Sequence, residues 1–370
     1  MKKSFILLLA AVLLTACGGN QYKVKGTVDG APDGTMVYMN AIIADQLFPI
    51  DSTAITGGKF SFSGVTDTCD ISILSFDVDG QFYTCSFFTE PGKINVDFNL
   101  ETCDQFTGGT PTNDAFQKFY DKVQLINADA DELEDKIRMT AAAGEDYQKF
   151  ADEMTVLQDR YCNVVQESIL ENADNVFGLH QLLDSYDLFE PTEVKEFLDA
   201  LAPAFATNDY FIQLLDLTAS QLRTVEGMPY IDFELPLLDA KYDTPATLRL
   251  SECIAANKLV LVDFWASWCT PCRNEIPNLK AAYEKFKSKG FTIVSVSVDE
   301  EREDWIEAVK EEGMAWPQVY DNVMDLTGSA ASRYAVTAIP STFLIDADGT
   351  IIGRNLRGEE VIEALEDYFK

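Results

Sequence analysis

Length, composition and charge limit the classes of protein that this chain can belong to. Its 370 residues, 47% of them hydrophobic, exceed one typical domain and can form more than one core. It carries 28 Lys and Arg against 61 Asp and Glu, which gives a formal net charge of −33. Because phosphate contacts need clustered cations, this charge argues strongly against a nucleic-acid partner. It also disfavours direct docking to an anionic membrane surface.

The first residues of the chain have the pattern of a targeting segment. Lys2-Lys3 precede Phe5–Leu14, an apolar stretch of about ten residues that is too short to span a bilayer. The following Leu-Thr-Ala-Cys box, which ends at Cys17, resembles the signal of bacterial lipoproteins. The resemblance implies a signal peptide at 1–16, a lipid on Cys17 and a linker at 17–21, with a plain signal peptide as the alternative. It also implies a lipid-anchored protein of a Gram-negative cell envelope, at the outer membrane and facing the periplasm.

Residues 22–109 alternate between short β-prone runs and turns rich in Gly and Asp. This pattern predicts an all-β domain, an antiparallel β-sandwich or a small barrel. The region resembles a β-domain of unknown function that often precedes thioredoxin domains in lipoproteins of some Gram-negative anaerobes. The motifs that carry this resemblance are Asp33-Gly34, Asp51-Ser52, Gly58-Lys59-Phe60, Glu90-Pro91-Gly92 and Gly108-Gly109-Thr110.

Residues 110–226 change to a helical period. Apolar side chains recur on one face, as in the run from Phe116 to Val123 and the run from Phe150 to Val164. Such stripes are typical of packed cores rather than cofactor sites, so we interpret the region as a helical segment packed on its neighbours. Within it, Cys162 and His180 are expected to be structural.

The motif with the clearest chemistry is Trp-Cys-Thr-Pro-Cys at 268–272, directly after the apolar run Leu259–Trp265. A strand that delivers a Cys-x-x-Cys pair to a helix start places one sulfur at unpaired N–H groups and the positive end of the helix dipole. Such a position lowers the pKa of a thiol and makes it a nucleophile. A zinc site needs further ligands, but His180 is the sole histidine and no second Cys-x-x-Cys occurs. The motif therefore predicts a redox site without a metal, and the open alternative is a degenerate site that lacks turnover.

Two stretches, Val262–Pro277 and Ala338–Asp346, resemble the active-site and cis-proline motifs of one family. The family comprises membrane-tethered thioredoxin-like thiol–disulfide oxidoreductases of the TlpA/ResA type, in the AhpC/TSA-redoxin superfamily, and is associated with cytochrome c maturation. The resemblance implies an α/β thioredoxin fold over 227–370, with a sheet covered on both faces. The whole chain is then multidomain, with an all-β domain, a helical segment and a thioredoxin-like domain.

The same resemblance implies a role for each matched residue. Cys269 is expected to be the exposed attacking thiolate, and Cys272 to resolve the mixed disulfide. Asp263 is expected to be a buried carboxyl with a raised pKa that takes the Cys272 proton, and Glu275 to assist proton transfer. Pro340 is expected to follow a cis peptide bond opposite the cysteine pair. The alternatives are a structural Asp263 and a Glu275 on the helix surface.

These features predict an extracytoplasmic, membrane-anchored oxidoreductase that reduces disulfides of other envelope proteins. It needs a membrane electron donor, and its Cys269–Cys272 disulfide replaces any cofactor. One alternative is a peroxiredoxin-type peroxidase, although the Pro and Thr expected before a peroxidatic cysteine are missing ahead of Cys269. Another is a ligand- or partner-binding lipoprotein with a secondary redox domain. Free buried thiols are favoured over further disulfides for the remaining cysteines, which are Cys69, Cys85, Cys103, Cys162 and Cys253.

Overall fold

The computed structural model describes residues 19–43, 46–238, 246–321 and 329–370. The predicted signal peptide and the lipidation site at Cys17 lie outside these ranges. Within them the chain forms two compact units. Each unit is made of two stretches of chain. The first unit comprises the chain up to Leu188 together with Asp199–Ala206, and the second comprises Phe189–Leu198 and Thr207–Lys370. The predicted order of a β domain, a helical middle segment and a C-terminal α/β domain is confirmed. No described helix is long and apolar enough to cross a membrane.

The β-strands of the first unit form two four-stranded sheets, in the orders β4-β1-β7-β8 and β3-β2-β5-β6. Buried apolar side chains alternate with exposed ones along β1 and β4, as a strand with one face in a core requires. The buried faces of both sheets share one hydrophobic cluster, so the unit is a sandwich. Its strands are β1 (Gln21–Asp29), β2 (Met36–Ile43), β3 (Gln46–Ala54), β4 (Lys59–Val65), β5 (Asp70–Val78), β6 (Gln81–Thr89), β7 (Gly92–Asn99) and β8 (Gln105–Gly108).

One part of the β prediction is wrong. The sequence predicts antiparallel pairing throughout, yet β1 and β7 run parallel, with Tyr22 opposite Gly92 and Asp29 opposite Asn99. The reason is topological, because β7 enters the first sheet between β1 and β8 after the chain has built β5 and β6 in the other sheet. The register then places Val24 beside Ile94, and both side chains are fully buried.

The helical middle segment is confirmed. Pro111 lies in the first turn of its first helix, where a missing N–H costs nothing, and Pro191 begins the fourth helix. In this segment His180 Nδ1 lies 2.8 Å from Asp184 Oδ2, and the His180 ring packs edge-on against Phe88. The helices are α1 (Pro111–Ala142), α2 (Gln148–Glu171), α3 (Val176–Ser185), α4 (Pro191–Phe205) and α5 (Asp209–Gln221).

The second unit is built on a five-stranded sheet in the order β13-β12-β11-β14-β15. Its central strand pairs parallel with β12 and antiparallel with β14. A separate two-stranded sheet joins β9 and β10. The strands are β9 (Glu234–Pro236), β10 (Thr247–Arg249), β11 (Leu259–Trp265), β12 (Phe291–Ser297), β13 (Gln318–Tyr320), β14 (Ser341–Asp346) and β15 (Ile351–Arg354), and the helices are α6 (Leu250–Ala256), α7 (Thr270–Phe286), α8 (Arg302–Glu312), α9 (Ala330–Arg333) and α10 (Glu359–Tyr368).

The central strand β11 is buried along its whole length. Leu259 and Leu261 belong to one hydrophobic cluster, whereas Val260 and Val262 belong to another. Because successive side chains of a strand point to opposite faces, the two clusters cover both faces of the sheet. The predicted sheet with two covered faces is confirmed, and it holds the carboxyl end of β11 rigidly at the start of α7.

Candidate active site

The two cysteines of the motif form a disulfide at the start of α7, as the sequence predicts. The Cys269–Cys272 S–S distance is 2.02 Å. Cys269 is the N-cap residue of α7, and its Sγ accepts a hydrogen bond from the Cys272 N–H at 3.2 Å. Pro271 lies in the first helical turn, where its missing N–H leaves no bond unmade. A thiolate at Cys269 Sγ would receive this N–H and the positive end of the α7 dipole.

The prediction that Cys269 is exposed is wrong for this disulfide state. Its residue exposure is only 4%, whereas the neighbouring Trp268 is 67% exposed and forms the outer surface. Two contacts explain the burial. The sulfur caps the helix, and it lies 3.8 Å from the carbonyl oxygen of Ile339.

The loop facing Cys269 contains the cis peptide bond that the sequence predicts. The Ile339–Pro340 bond is cis, and β14 begins directly after it at Ser341. The Arg357 Nη2 donates a hydrogen bond to the Pro340 carbonyl oxygen. The loop is therefore fixed on both sides, by the sheet and by a charged side chain.

Asp263 is a buried carboxyl on β11, six residues before Cys269. It is 5% exposed, and its Oδ2 accepts a hydrogen bond from Ser295 Oγ at 2.8 Å. Burial raises the pKa of Asp263 from its ordinary value of 3.8 to about 6. The Ser295 hydrogen bond and the Arg357 charge oppose this rise in pKa, and the Glu275 charge adds to it. The sequence-based expectation of a desolvated carboxyl with a raised pKa is met, while its catalytic role stays a prediction.

Glu275 lies on α7, half-buried, three residues after Cys272. Its Oε2 accepts a hydrogen bond from the Gly358 N–H at 2.8 Å and contacts Asn278 Nδ2 at 3.3 Å. These partners tie α7 to the loop before α10, so Glu275 is more than a solvated surface residue. Its part in proton transfer stays a prediction.

Comparisons with known proteins agree with this geometry. Residues 227–354 match the AhpC/TSA family, and residues 22–116 match a domain of unknown function, DUF4369. The thiol–disulfide oxidoreductase ResA of Oceanobacillus iheyensis is 30% identical over 137 residues, which cover 37% of this chain and 67% of the relative. The chain belongs to the thiol–disulfide oxidoreductases of the AhpC/TSA family. The DUF4369 match confirms the expected β-domain of unknown function.

This chain spans a smaller share of the length of other ResA relatives. ResA of Bacillus thuringiensis subsp. konkukian is 35% identical over 114 residues, or 31% of this chain, and the chain spans only 63% of that relative. Among solved structures, the thioredoxin domain of a thiol–disulfide oxidoreductase from Bacteroides vulgatus is 32% identical. That alignment covers 40% of this chain and 99% of the other, with a TM-score of 0.35.

Sequence reasoning missed Arg357, which joins several parts of this oxidoreductase site. Its Nη1 donates to Thr342 Oγ1 at 3.3 Å and to the Leu356 carbonyl oxygen at 3.0 Å, besides the Nη2 contact with Pro340. Burial lowers the pKa of Arg357, and the charges of Asp263 and Glu275 raise it again. No local pattern in the sequence marks this arginine, because its partners come from distant segments.

Sequence reasoning also missed the polar partners under Asp263. Ser295 lies directly opposite Asp263 in the β11–β12 register, and Trp316 Nε1 donates to Ser295 Oγ at 2.9 Å. The chain of donors therefore runs from Trp316 through Ser295 to Asp263. A signal was available here, since Ser295 is a polar residue inside the apolar run Phe291–Val298.

A second buried carboxylate, Asp299, fixes the turn before Cys269. Its carboxylate accepts hydrogen bonds from the Ser267 N–H at 3.0 Å and from Ser267 Oγ at 2.6 Å. Ser297 Oγ donates to its other oxygen at 2.7 Å. This network fixes the backbone two residues before Cys269.

Among the described residues, no cysteine outside the pair adds a sulfur to the disulfide at the start of α7. Cys85 and Cys103 do not pair with each other, since Cys85 is buried in the sandwich and Cys103 is exposed. The expectation of buried thiols holds fully only for Cys85, since Cys69, Cys162 and Cys253 are partly exposed. Cys103 is exposed because it occupies a loop position with φ of 59° at the turn before β8. Burial raises the pKa of Cys69 to about 11 and that of Cys85 to about 12. Both thiols are therefore poor nucleophiles at neutral pH.

Proposed function

We propose that this protein is an extracytoplasmic, lipid-anchored oxidoreductase that reduces disulfides of other envelope proteins. The observation that carries the proposal is the Cys269–Cys272 disulfide at the start of α7, where Cys269 Sγ accepts the Cys272 N–H. That position stabilises a thiolate, and the second sulfur is already within bonding distance of it.

The reaction begins from the reduced pair. The Cys269 thiolate attacks one sulfur of a substrate disulfide, which forms a mixed disulfide and releases the other substrate sulfur as a thiolate. Cys272 then loses its proton and attacks Cys269 Sγ, which releases the second substrate thiolate. Two electrons have moved to the substrate, whose thiolates take up two protons, and the Cys269–Cys272 disulfide has formed.

In this proposal Asp263 accepts the proton that Cys272 loses. With a pKa of about 6, its carboxyl is mostly ionised at pH 7 and yet basic enough to take a proton from a thiol. It lies on the strand that leads into the cysteine pair, with Ser295 fixing its other side. Glu275, held by the Gly358 N–H, is proposed to pass the proton onward.

The cellular setting is part of the proposal. The Leu-Thr-Ala-Cys box at 14–17 supports lipidation of Cys17, and the names of the ResA relatives accord with thiol–disulfide chemistry. Because such compartments permit disulfides, a reductase there needs electrons from a membrane partner. The Thr-Pro spacer between the cysteines offers no histidine to stabilise a strongly oxidising thiolate, which favours reduction as the direction.

The experiment that tests the function is the reduction potential of the Cys269–Cys272 couple in the full chain, equilibrated against glutathione and dithiothreitol buffers. We expect a value at or below about −250 mV, in the thioredoxin range. A value near about −120 mV, the range of strong oxidants, would reverse the proposed direction. A Cys269→Ser variant is the control, since it removes the couple and leaves the other thiols in place.

Activity assays distinguish the remaining classes. Turnover with a protein disulfide and none with hydrogen peroxide supports the proposal, whereas rapid peroxide consumption that needs Cys269 supports a peroxidase. If Cys269→Ser keeps the full biological effect in cells, the protein acts as a binding lipoprotein instead.

A further inference from the structure

The end of the β2–β3 hairpin is apolar and exposed. Ile42 and Ile43 at the end of β2, and Leu47 and Phe48 at the start of β3, each keep at least 40% of their surface exposed. Exposed apolar residues that occur singly need no explanation, but a contiguous group marks a contact surface. We call these four residues the hairpin tip.

The pairing pattern explains why the hairpin tip is uncovered. β2 pairs with β5 only from Val37 to Asn40, and the β2–β3 register shifts between Met39 and Asn40. Beyond Asn40, β2 pairs with β3 alone, whereas β5 continues to pair with β6 as far as Asp70, so the end of the hairpin separates from the rest of the sheet. Both faces of this end of the hairpin are exposed among the described residues, although its sequence is as apolar as a core strand.

The strand registers place the hairpin tip at the same end of the sandwich as the start of β1. Tyr22 pairs with Gly92, so β1 and β7 begin side by side. β6 ends at Thr89, just before β7 begins, and Thr89 pairs with Asp70 at the start of β5. Since β2 runs antiparallel to β5, its last residue, Ile43, lies at this same end.

The linker at 17–21, between the proposed lipid and the start of β1, is short enough to determine what this end of the sandwich faces. Four residue steps separate Cys17 from Gln21, and a fully extended chain covers at most about 14 Å in four steps. A lipid on Cys17 therefore keeps the start of β1 within about 14 Å of the bilayer interface. The hairpin tip is then a group of exposed apolar residues at the end of the sandwich that the anchor holds near the lipid.

We infer that the hairpin tip inserts into the lipid interface as a second membrane contact beside the anchor. This inference rests on the proposed lipidation of Cys17. The segment Met36–Ala54 has no Lys or Arg and two acidic residues, Asp45 and Asp51, so it has no electrostatic attraction to anionic headgroups and suits zwitterionic ones. A second copy adding a strand to β3 is disfavoured, because Pro49 removes a backbone donor from that edge.

The test uses the full lipidated chain in vesicles of phosphatidylethanolamine and bromine-labelled phosphatidylcholine. A Phe48→Trp variant places an indole in the hairpin tip, and wild-type fluorescence is subtracted as background. The matched control is Phe82→Trp, because Phe82 is 62% exposed and lies at the start of β6, at the opposite end of the sandwich. We expect bromine to quench the indole at position 48 by at least about twofold and to leave the one at position 82 unchanged.

Flotation of the same vesicles separates the possible failures. If the chain does not float with lipid, the anchor is refuted and this inference falls with it. If it floats but the two indoles are quenched equally or not at all, the anchor stands and the inference alone is overturned. Ile43→Asp should abolish the quenching of the Phe48→Trp indole without preventing flotation. A dimer that Ile43→Asp disrupts, with no quenching, would assign the hairpin tip to a second copy instead.

Discussion

The two units of the molecule differ in whether they bury carboxylates. In the first unit, no carboxylate among the described residues is fully buried, and the sandwich core consists of apolar side chains. In the second unit, Asp263, Asp299 and Asp321 are each at most 5% exposed. Burial of a carboxylate is costly unless hydrogen bonds compensate it, so this contrast marks where chemistry constrains the fold.

Within the second unit, the buried carboxylates also differ from one another. Asp299 is satisfied by Ser267 and Ser297, which explains it as a structural carboxylate of the active-site turn. Asp263 accepts from Ser295, and burial still raises its pKa to about 6. A buried carboxyl with a raised pKa is a candidate for proton exchange, and Asp263 lies on the strand that leads to the cysteine pair. The sandwich instead carries a group of exposed apolar residues, the hairpin tip, at the end where the lipid anchor is proposed.

The largest expected effect on turnover comes from removing the proposed attacking sulfur, Cys269 Sγ. Cys269→Ser should lower turnover with a protein disulfide by at least about 10³-fold, because no nucleophile remains. Cys103→Ser, at an exposed thiol of the first unit, is the matched control and should leave turnover unchanged. Turnover within tenfold of the wild type in Cys269→Ser would break the assignment of chemistry to the second unit.

The next effect concerns the stability of the second unit. Because folding raises the pKa of Asp263, its contribution to stability is complete below about pH 4 and is lost as pH rises through about 6. A rise in the pKa from 3.8 to about 6 corresponds to about 3 kcal/mol at pH 7. Asp263→Asn removes this penalty, so the free energy of unfolding relative to the wild type should improve by up to about 3 kcal/mol between pH 4 and pH 7.

Tryptophan fluorescence in denaturant measures this change selectively, since all four tryptophans lie in the second unit. Val262→Ala, next to Asp263 on β11, is the control and should destabilise the unit equally at both pH values. If the difference in free energy of unfolding between Asp263→Asn and the wild type does not vary with pH, the pKa of Asp263 is not raised by folding.

A smaller effect is expected at Arg357. Its charge lowers the pKa of Asp263, so Arg357→Met should raise that pKa further and move the acid limb of the activity profile to higher pH. Loss of the hydrogen bond to the Pro340 carbonyl should also lower activity at neutral pH by about tenfold. Arg357→Lys keeps the charge and should restore the position of the acid limb but not the full rate. An unchanged pH profile in Arg357→Met would contradict the predicted effect of the Arg357 charge on Asp263.

The smallest effect is expected at Glu275, and it has the opposite sign. The Glu275 charge raises the pKa of Asp263, so Glu275→Gln should move the acid limb to lower pH. Gln can still accept the Gly358 N–H, which keeps the helix and loop in place. A shift to higher pH in this variant would contradict the proposed electrostatic coupling, and the pH dependence of turnover measures it.

The parts of the site that could be predicted lie in contiguous sequence. A strand followed by Cys-x-x-Cys predicts the β11–α7 turn, and the motif around Pro340 predicts the cis loop. Ser295 and Arg357 were missed because they meet Asp263 through strand pairing and loop packing, and this geometry is invisible in one sequence. The parallel β1–β7 pair was missed for the same reason. The β2 sequence predicts a strand, but the strand alone does not reveal that β5 leaves its end uncovered.

The rate of the second chemical step tests the central claim most directly. In the proposed reaction Cys272 resolves the mixed disulfide formed with a labelled peptide, and the fluorescence of Trp268, next to Cys269, is expected to report this step. We predict that the wild-type rate falls as pH drops through about 6, as Asp263 becomes protonated. Asp263→Asn should lose this acid limb and be slower by about 10²-fold at pH 7. Identical profiles for both proteins would contradict the account and leave Asp263 a structural residue.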